Sequence, residues 1–540
     1  MRDTPERWPD ALIAITIFVL CLGVYNATLT PSLSYKSPDG NELATVCYTL
    51  GLAHSTGYPL YTWLGKLFTF LPIGDVAHRV NLMSAVLGAG GMALLYAILR
   101  QLTSNRSVAA SRIASASGTL LFGFSPTLWS QTGIAELYAP NLLMVALTVL
   151  LLLQWAKAQE QSKSTPFLWF WAFALVYGLS LGTHMSNLGF APAFGLFVLL
   201  VDGHILRARS GRVLLRPWVW LVGAGFFFLG ILQFLWLPYK ASTLNDTLML
   251  RHAPSTLEGI YNYTLGAFSE FKFAFPLTAI PERIVLYLYL LVQNFSMVGI
   301  LVGLVGMAAL LWQAPRRFFL LMGMYLVHIW FFVQYRAFDL DVFFIPAHFV
   351  YAIFVGFGVY AALLGLAALF QPSETWKRVA PAALNSVITV TLVLGLVREV
   401  SANWERNDYS NDTAINDFYE NVFDLLPPNS ALLGRGGVFG YDMFYFRLVH
   451  NYRPDVTIPM IGGPRPSPQE LAGRPVYTTQ PTPGERGGGG PWSPPPGLVA
   501  QNAWYVPILL GQSGVGTGMR DRGQPLALYA VQDTPPPPEK

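Results

Sequence analysis

Long apolar stretches recur along most of this chain, and they limit what it can fold into more than any other feature. Of its 540 residues, 53% are hydrophobic and only 12% are charged, whereas about a quarter of the residues in soluble domains are charged. A helix needs about 20 apolar residues to cross the hydrocarbon core of a bilayer. The composition therefore predicts an all-α polytopic membrane protein. We predict about eleven spans, which begin near Ala11, Asn81, Ile113, Leu137, Phe167, Leu188, Trp218, Ile284, Phe318, Val342 and Val379.

Basic residues are distributed unevenly between the predicted loops. If the N-terminus is cytoplasmic, the short cytoplasmic loops hold most of the arginines and lysines, such as Arg100, Arg209 and Arg316. The positive-inside rule then places the first long loop and the C-terminal region outside the cytoplasm. Most acidic residues of the membrane body fall on the same outer side. Because ionisable groups near a membrane are costly unless they have a function, this crowding predicts a functional site there.

The chain divides into a membrane body and a small C-terminal region. We predict the body over residues 1–397, with a functional first outer loop at 30–80, and an extracytoplasmic α/β domain over 398–540. A helix from Thr413 to Leu426 and strands at 431–433, 504–510 and 526–531 are expected in this domain. Residues 463–497 are rich in proline and glycine, which predicts a disordered insert. Cys21 and Cys47 have neither a disulfide framework nor metal-ligand spacing.

The first outer loop contains the most informative polar residues. Asp39 and Glu42 are three positions apart, so they face the same side if a helix begins here. One interpretation is local: Asp39 caps this helix and Glu42 completes a box-like pair. The other is catalytic, and the two are compatible. The apolar segment from Tyr58 to Leu71 is too short to span a bilayer and predicts a re-entrant or interfacial helix, which indicates a covered pocket.

Several motifs together resemble one family. They are Asp39-Gly40-Asn41-Glu42-Leu43, Tyr48-Thr49-Leu50-Gly51-Leu52-Ala53-His54, Gly57-Tyr58-Pro59-Leu60-Tyr61, Asp75-Val76-Ala77-His78-Arg79-Val80-Asn81, Ala135-Glu136-Leu137-Tyr138, Gly182-Thr183-His184 and Asp339-Leu340-Asp341-Val342-Phe343. The chain is similar in these motifs to the polytopic protein O-mannosyltransferases, within the GT-C glycosyltransferase superfamily, and we read it as a bacterial-type member. Gly40-Asn41 and Ser55 depart from the usual family pattern, and neither departure removes a titratable group.

The resemblance implies a GT-C fold and transfer of a sugar, mannose in the most concrete version, from a polyprenyl-phosphate-linked donor to a serine or threonine hydroxyl. It also implies an acidic residue of the first outer loop as general base, and Asp39, with Glu42 beside it, is the candidate. Such a base removes the proton of the acceptor hydroxyl during attack. The expected partners are the lipid-linked donor, an exported protein or glycan acceptor and the bilayer, without nucleic acid. No cofactor is expected, and the location is a bacterial plasma membrane with the site facing outward.

The other candidate residues would bind donor or acceptor. A departing lipid phosphate needs cations or hydrogen-bond donors around it, and the two carboxylates of Asp-Leu-Asp would point the same way along an extended chain. These acids lack histidine or further oxygen ligands nearby in the sequence, so we predict no metal. For each residue, capping, packing or positioning at the interface is the alternative. The candidates are His54, Tyr58, Arg79, Glu136, His184, Arg336, Asp339 and Asp341.

Two other functions compete with this interpretation. A GT-C transferase acting on a glycan or lipid acceptor with a different sugar would need the same machinery. A non-enzymatic transporter or lipid-binding membrane protein would instead place its acidic residues toward the middle of the bilayer. An inactive family member that acts as a scaffold is a third possibility. Accessibility of Asp39 from both sides of the membrane would favour a transporter.

Overall fold

The computed structural model describes residues 7–103, 107–161, 165–202, 217–243, 254–267, 269–369, 374–433, 440–458, 471, 473–478, 500–505 and 527–531. Nearly all of the described part before residue 408 is helical. The helices up to residue 201 are α1 (Arg7–Ala27), α2 (Pro38–Thr49), α3 (Pro59–Phe68), α4 (Val76–Thr103), α5 (Val108–Gly123), α6 (Pro126–Ser130), α7 (Tyr138–Glu160), α8 (Phe167–Ser180) and α9 (Ala191–Val201). A 3-10 helix, Met185–Phe190, precedes α9.

The second half of the body continues in the same way. Its helices are α10 (Pro217–Ile231), α11 (Trp236–Thr243), α12 (Leu257–Thr264), α13 (Ile280–Gln313), α14 (Pro315–Phe332), α15 (Leu340–Phe343), α16 (Ile345–Leu369) and α17 (Glu374–Asn407). Short 3-10 helices occupy Leu232–Leu235, Ser269–Phe271 and Leu277–Ala279. Non-helical backbone at Ser296 interrupts α13 with a kink.

The apolar stretches of the sequence account for this architecture. Each of the eleven predicted spans overlaps a described helix, and six described helical segments are long and apolar enough to cross a membrane. The prediction of a helical membrane protein is confirmed, whereas the number of spans stays a prediction. Helix α16 lies at the centre of the body, packed against α5, α13 and α14. Its residues from Phe349 to Val355 are buried in one large core.

The connection between α1 and α4, residues 28–75, folds back on the end of the helical body. We call the side of the body that carries it the loop face. Helix α3 has only ten residues and lies within the short segment predicted from the sequence. It begins after a tight turn in which Gly57 has φ +90°, a region that favours glycine. Pro59 occupies the first helical position, where a missing N–H is tolerated.

The C-terminal region contains two helices and a four-stranded sheet. They are α18 (Ala414–Leu425), β1 (Ala431–Leu433), α19 (Gly440–Leu448), β2 (Val476–Thr478), β3 (Ala500–Tyr505) and β4 (Ala527–Val531). The strand order is β1-β2-β4-β3, in which β1 and β2 are parallel and the other two pairs antiparallel. Residues 408–458 and this sheet form what we call the cap.

Two predictions about this region need correction. The body does not end at Val397, because α17 continues to Asn407; its last turns are polar, so hydropathy alone ended it too early. Strand β2 lies inside the predicted disordered insert, where it pairs with β1 over three residues. Pairing with a neighbouring strand overrode the local composition there. Most of the remaining insert lies outside the described residues.

The cap shares a hydrophobic core with the first loop. Buried side chains of α2, such as Leu43 and Val46, join Phe418 of α18 and Met443 and Tyr445 of α19 in one cluster. Helix α19 packs directly on α2. The helix that carries Asp39 and Glu42 is therefore held between the membrane body and the cap.

Candidate active site

The first turn of α2 positions Asp39. Ser37 caps this helix, with its hydroxyl oxygen accepting from the Gly40 N–H at 2.8 Å, and Pro38 occupies the first helical position. The structure therefore corrects the interpretation in which Asp39 is the cap. The Asp39 side chain is 59% exposed, in contrast to 3% for Glu42. The first carboxylate is open to a ligand and the second is enclosed.

The buried Glu42 and the partly exposed His54 form a pair behind Asp39. One carboxylate oxygen of Glu42 accepts from the His54 backbone N–H at 2.9 Å, and the other contacts Nδ1 of the same residue. The Nε2 atom of His54 lies 3.9 Å from Asp39 Oδ2. Burial alone would lower the pKa of His54, but the charges of Glu42 and Asp39 raise it to about 10. An imidazolium therefore stands between the two carboxylates at neutral pH.

Glu136 borders the first turn of α2 on the other side. Its Oε1 atom accepts a hydrogen bond of 2.6 Å from the Ser37 hydroxyl. Burial, then the negative charge of Asp39, raises the pKa of Glu136 to about 8, although the bond from Ser37 opposes this shift. The carboxyl group is thus largely protonated at neutral pH. The sequence also offered a capping role for Glu136 at the helix that follows it, and its Oε2 atom accepts from the Leu137 N–H at 3.3 Å, just before α7.

Aromatic rings line the neighbouring part of the loop face. The ring of His54 meets that of Tyr58 at 5.3 Å in an edge-to-face arrangement. Tyr138 packs against His184 at 6.0 Å and against Phe343 at 5.4 Å. Burial lowers the pKa of His184 to about 4, so this histidine is neutral. Its Nδ1 atom lies 2.7 Å from the hydroxyl oxygen of Ser186.

The two acidic residues of Asp-Leu-Asp do not lie on an extended chain. Asp339 is the residue before the short helix α15, and Asp341 is in its first turn, so the prediction that both point the same way is wrong. The chain enters a helix here, and side chains two positions apart on a helix point in different directions. The charge of Asp39 acts on Asp339, whose pKa is raised to about 6 chiefly by burial. Asp339 is thus within electrostatic range of Asp39.

The two predicted arginines differ in what they contact. Arg79 donates to three backbone carbonyls, those of Thr69, Ile73 and Gly74, at 2.7–3.0 Å. Its guanidinium therefore holds together the turn between α3 and α4. Arg336 is exposed and lies on the segment that leads to Asp339, with its guanidinium 5.8 Å from the centre of the Phe275 ring.

Three groups could in principle hold a divalent cation. Asp39, Glu42 and His54 each offer one ligand atom, and these atoms lie within 4.8 Å of one another. A metal ion would have to displace the proton on His54 and its contact with Glu42, because a ligating imidazole is neutral. The arrangement as it stands is a hydrogen-bonded ion network.

Sequence reasoning missed three residues of this site. Ser37 was detectable, because serine followed by proline and an acidic residue is typical of a helix start. The roles of Asn41 and Asp442 had no local signal. The Asn41 side chain donates to Asp442 of the cap at 2.7 Å. That contact joins residues 401 positions apart in the chain.

Comparison with known proteins places these features in a family. A family model for the N-terminal domain of the protein O-mannosyl-transferase TMEM260 matches residues 39–204, beginning at Asp39 itself. The chain is 26% identical over 473 residues to the protein O-mannosyl-transferase TMEM260 of Mus musculus, covering 82% of this chain and 62% of that protein. It is 23% identical over 473 residues to that of Dictyostelium discoideum, covering 82% and 56%.

The chain spans 62% and 56% of the length of these two relatives. Among solved structures, ArnT from Cupriavidus metallidurans bound to undecaprenyl phosphate is similar in fold, with a TM-score of 0.53, 11% identity and 98% of both chains covered. The family resemblance seen in the sequence motifs is confirmed by these matches. In sequence the chain is similar to the TMEM260-type protein O-mannosyl-transferases, and it shares the fold of ArnT.

Proposed function

We propose that this protein transfers a mannosyl group from a polyprenyl-phosphate-linked donor to a serine or threonine hydroxyl of a protein, with Asp39 as general base. The observation that carries the proposal is the exposed Asp39 carboxylate in front of the pair of Glu42 and His54. The names of the two relatives support the reaction. A solved structure of the same fold, with bound undecaprenyl phosphate, supports a donor of that lipid class.

The reaction requires a base and a stabilised leaving group. The acceptor oxygen attacks the anomeric carbon, the bond from that carbon to the phosphate oxygen breaks, and the acceptor proton moves to Asp39. The lipid phosphate departs with the electron pair of the broken bond. A positioned carboxylate accelerates such a proton transfer by about a hundredfold to ten thousandfold.

Glu42 and His54 act from behind the base. Glu42 holds the imidazolium by its ring and its backbone, so His54 keeps one orientation. The imidazolium supplies positive charge beside the reacting groups, where charge develops on the phosphate. Glu136 is protonated at neutral pH, which limits the negative charge next to Asp39.

Further cations would complete the donor site. We assign Arg336 to the departing phosphate, because it is exposed and is three residues before Asp339, which is within electrostatic range of Asp39. Arg79 acts by holding the turn between α3 and α4. His184, Tyr58 and Tyr138 would contact the sugar, because neutral aromatic rings suit its apolar faces. Asp339 would accept a hydrogen bond from the sugar or the acceptor, and Asp341 would support α15.

The proposal includes a membrane orientation. The short loops rich in arginine and lysine face the cytoplasm, and the loop face with the cap faces the opposite side. Eleven helices then cross the membrane, and the cap is an extracytoplasmic α/β domain. A bacterial plasma membrane with the site outward fits the orientation.

The first test is transfer of radiolabelled mannose from its polyprenyl-phosphate donor by the purified protein in lipid nanodiscs. Acceptors are exported proteins in one reaction and glycans or glycolipids in another. Asp39→Asn should lower transfer to protein by at least about a hundredfold. Glu258→Gln, which changes an exposed acidic residue at the start of α12, is the matched control and should retain activity.

The outcomes separate the alternatives. If the label appears only in the glycan or lipid fraction, the acceptor is a glycan or a lipid and not a protein. Equal transfer by wild type and Asp39→Asn would exclude Asp39 as the base. If the wild type transfers no sugar to any acceptor although it binds the donor lipid, the proposed mannosyl transfer is wrong.

A further inference from the structure

Helix α2 presents different faces to the reaction and to the cap. Successive residues of a helix are rotated by about 100°, so Asp39 and Glu42 lie near one side and Asn41 lies on the opposite side. Asn41 is 3% exposed. A residue that holds Asn41 therefore controls the rotation of the first turn without touching the substrate.

The amide of Asn41 is bound from both sides. Its Nδ2 atom donates to the Ser34 carbonyl at 2.9 Å and to Asp442 Oδ1 at 2.7 Å, and its Oδ1 atom accepts from the Ser34 N–H at 3.0 Å. The amide is thus clamped between the loop before α2 and the cap. An amide held in this way has little freedom to move.

Asp442 is an unusual partner for this amide. Its side chain is fully buried in α19, and its Oδ2 atom has no hydrogen-bond partner among the residues that the structure describes. Burial raises the pKa of this carboxyl to about 8. A buried acidic group with one unmatched oxygen lowers stability, so its presence calls for a role in function.

Three further contacts join the cap to the same loop and to the start of α4. The Tyr445 hydroxyl accepts from the Ala77 N–H at 2.8 Å, and His450 lies 3.2 Å from an oxygen of Asp75. At the other end of the loop, Ser34 donates to Asp412 at 2.8 Å. These contacts fix the two ends of the loop, whereas Asp442 alone among these cap residues reaches the turn that carries Asp39.

We propose that Asp442 of the cap is a positioning residue for Asp39, which it acts on through Asn41, so that the active site is complete only when the cap is seated on α2. The expected effect on kcat rests on the proposed function. The expected effect on the position of Asp39 is independent of that function. The protonated carboxyl of Asp442 can accept the hydrogen bond from Asn41, and so can the amide in Asp442→Asn.

The kinetic test compares three variants of the full-length protein in nanodiscs. Asp442→Ala should lower kcat by about tenfold or more, with the donor KM changed less than about twofold, because slight misplacement of a catalytic group can cost up to about a hundredfold. Asp442→Asn should keep kcat within about threefold of wild type. Asp417→Asn is the matched control, since the carboxylate of this acidic residue of the cap accepts a hydrogen bond from Thr413, which is in the same cap segment.

A second measurement does not depend on the reaction. Spin labels at Asp39→Cys and at Leu277→Cys, a site 73% exposed on the body, report their separation by electron paramagnetic resonance. Both native cysteines are buried, which protects them from labelling. The distance distribution should broaden or shift in Asp442→Ala and stay unchanged in Asp442→Asn and Asp417→Asn.

The outcomes decide between the two proposals. A loss of kcat in Asp442→Ala that Asp442→Asn restores, together with the altered distance distribution, supports positioning. Equal activity of Asp442→Ala and Asp417→Asn, or equal loss in both Asp442 variants with lowered thermal stability, would overturn it. If the wild type transfers no sugar, the proposed function fails, and the distance measurement alone decides the positioning role.

Discussion

Two acidic segments lie within electrostatic range of each other, and they are held very differently. In α2, Glu42 is enclosed and both of its oxygens have partners. In the segment before α15, Asp339 has no side-chain capping bond, and the side chain of its neighbour Phe338 is fully exposed. The enclosed pair of Glu42 and His54 fixes the groups behind the base Asp39, whereas a carboxylate without such support, as at Asp339, suits contact with a ligand that arrives and leaves. The comparison assigns chemistry to the first segment and binding to the second.

The largest expected effect comes from Glu42→Gln. This change leaves the imidazolium of His54 without its carboxylate, and loss of one partner of a buried ion pair costs about 3–5 kcal/mol of unfolding free energy. We expect transfer to fall by about a hundredfold or more, measured as kcat on protein that remains folded. Asp339→Asn should lower kcat by less than about tenfold and raise the acceptor or donor KM. Equal losses of kcat in the two variants would remove the distinction between the segments.

Gly40→Ala tests how tightly the first turn of α2 is packed. A Cβ atom there would lie 2.3 Å from both the Ala135 carbonyl oxygen and the Ser37 hydroxyl oxygen. Overpacking of this kind costs about 1–3 kcal/mol, which thermal unfolding would show together with reduced activity. Gly395→Ala is the control, because no atom lies within 4 Å of a Cβ at that position of α17. A wild-type melting temperature for Gly40→Ala would show that the turn has room to move.

The pH dependence of unfolding should separate the two segments. The pKa of His54 is raised to about 10, so its stabilising contribution is complete below about pH 6.5 and is lost as the pH rises toward 10. The pKa of Asp339 is raised to about 6, so its ionisation lowers stability as the pH rises from about 4. Denaturant unfolding across pH measures the free energy of unfolding. Glu42→Gln should reduce its pH dependence only between about pH 6.5 and 10, and Asp339→Asn only between about pH 4 and 6. A variant that changes both windows would show that the segments are coupled.

The smallest effect is expected at the pair of His450 and Asp75. Hydrogen bonds from His450 and Ser32 outweigh burial and lower the pKa of Asp75 to about 2, and the Asp75 carboxylate raises the pKa of His450. Because the His450 side chain is 40% exposed, His450→Gln should cost less than about 1 kcal/mol. The pair contributes most between about pH 4 and 6.5, where both groups are charged. A difference from wild type that persists above the His450 pKa would point to packing instead.

Local sequence patterns were sufficient for most of the fold and for part of the site. The apolar stretches predicted the helices of the body, and α18, β1 and β4 appeared close to their predicted positions because propensity and turn residues agree there. The first-loop motif indicated Asp39 as the candidate base and carried the family resemblance. The helix α19, the strand β2 and the end of α17 were missed, because their residues become helix or strand through contacts with distant parts of the chain.

The sequence by itself determined that this chain enters a membrane and which loop concentrates its ionisable groups, because bilayer-length apolar runs and costly ionisable groups act through local composition. Only the tertiary structure decided how that chemistry is arranged. It placed Glu136 against Ser37, turned Asp339 and Asp341 apart and brought Asp442 to Asn41 across 401 positions. Such contacts depend on how helices and cap pack together, and no short-range pattern in the chain encodes them.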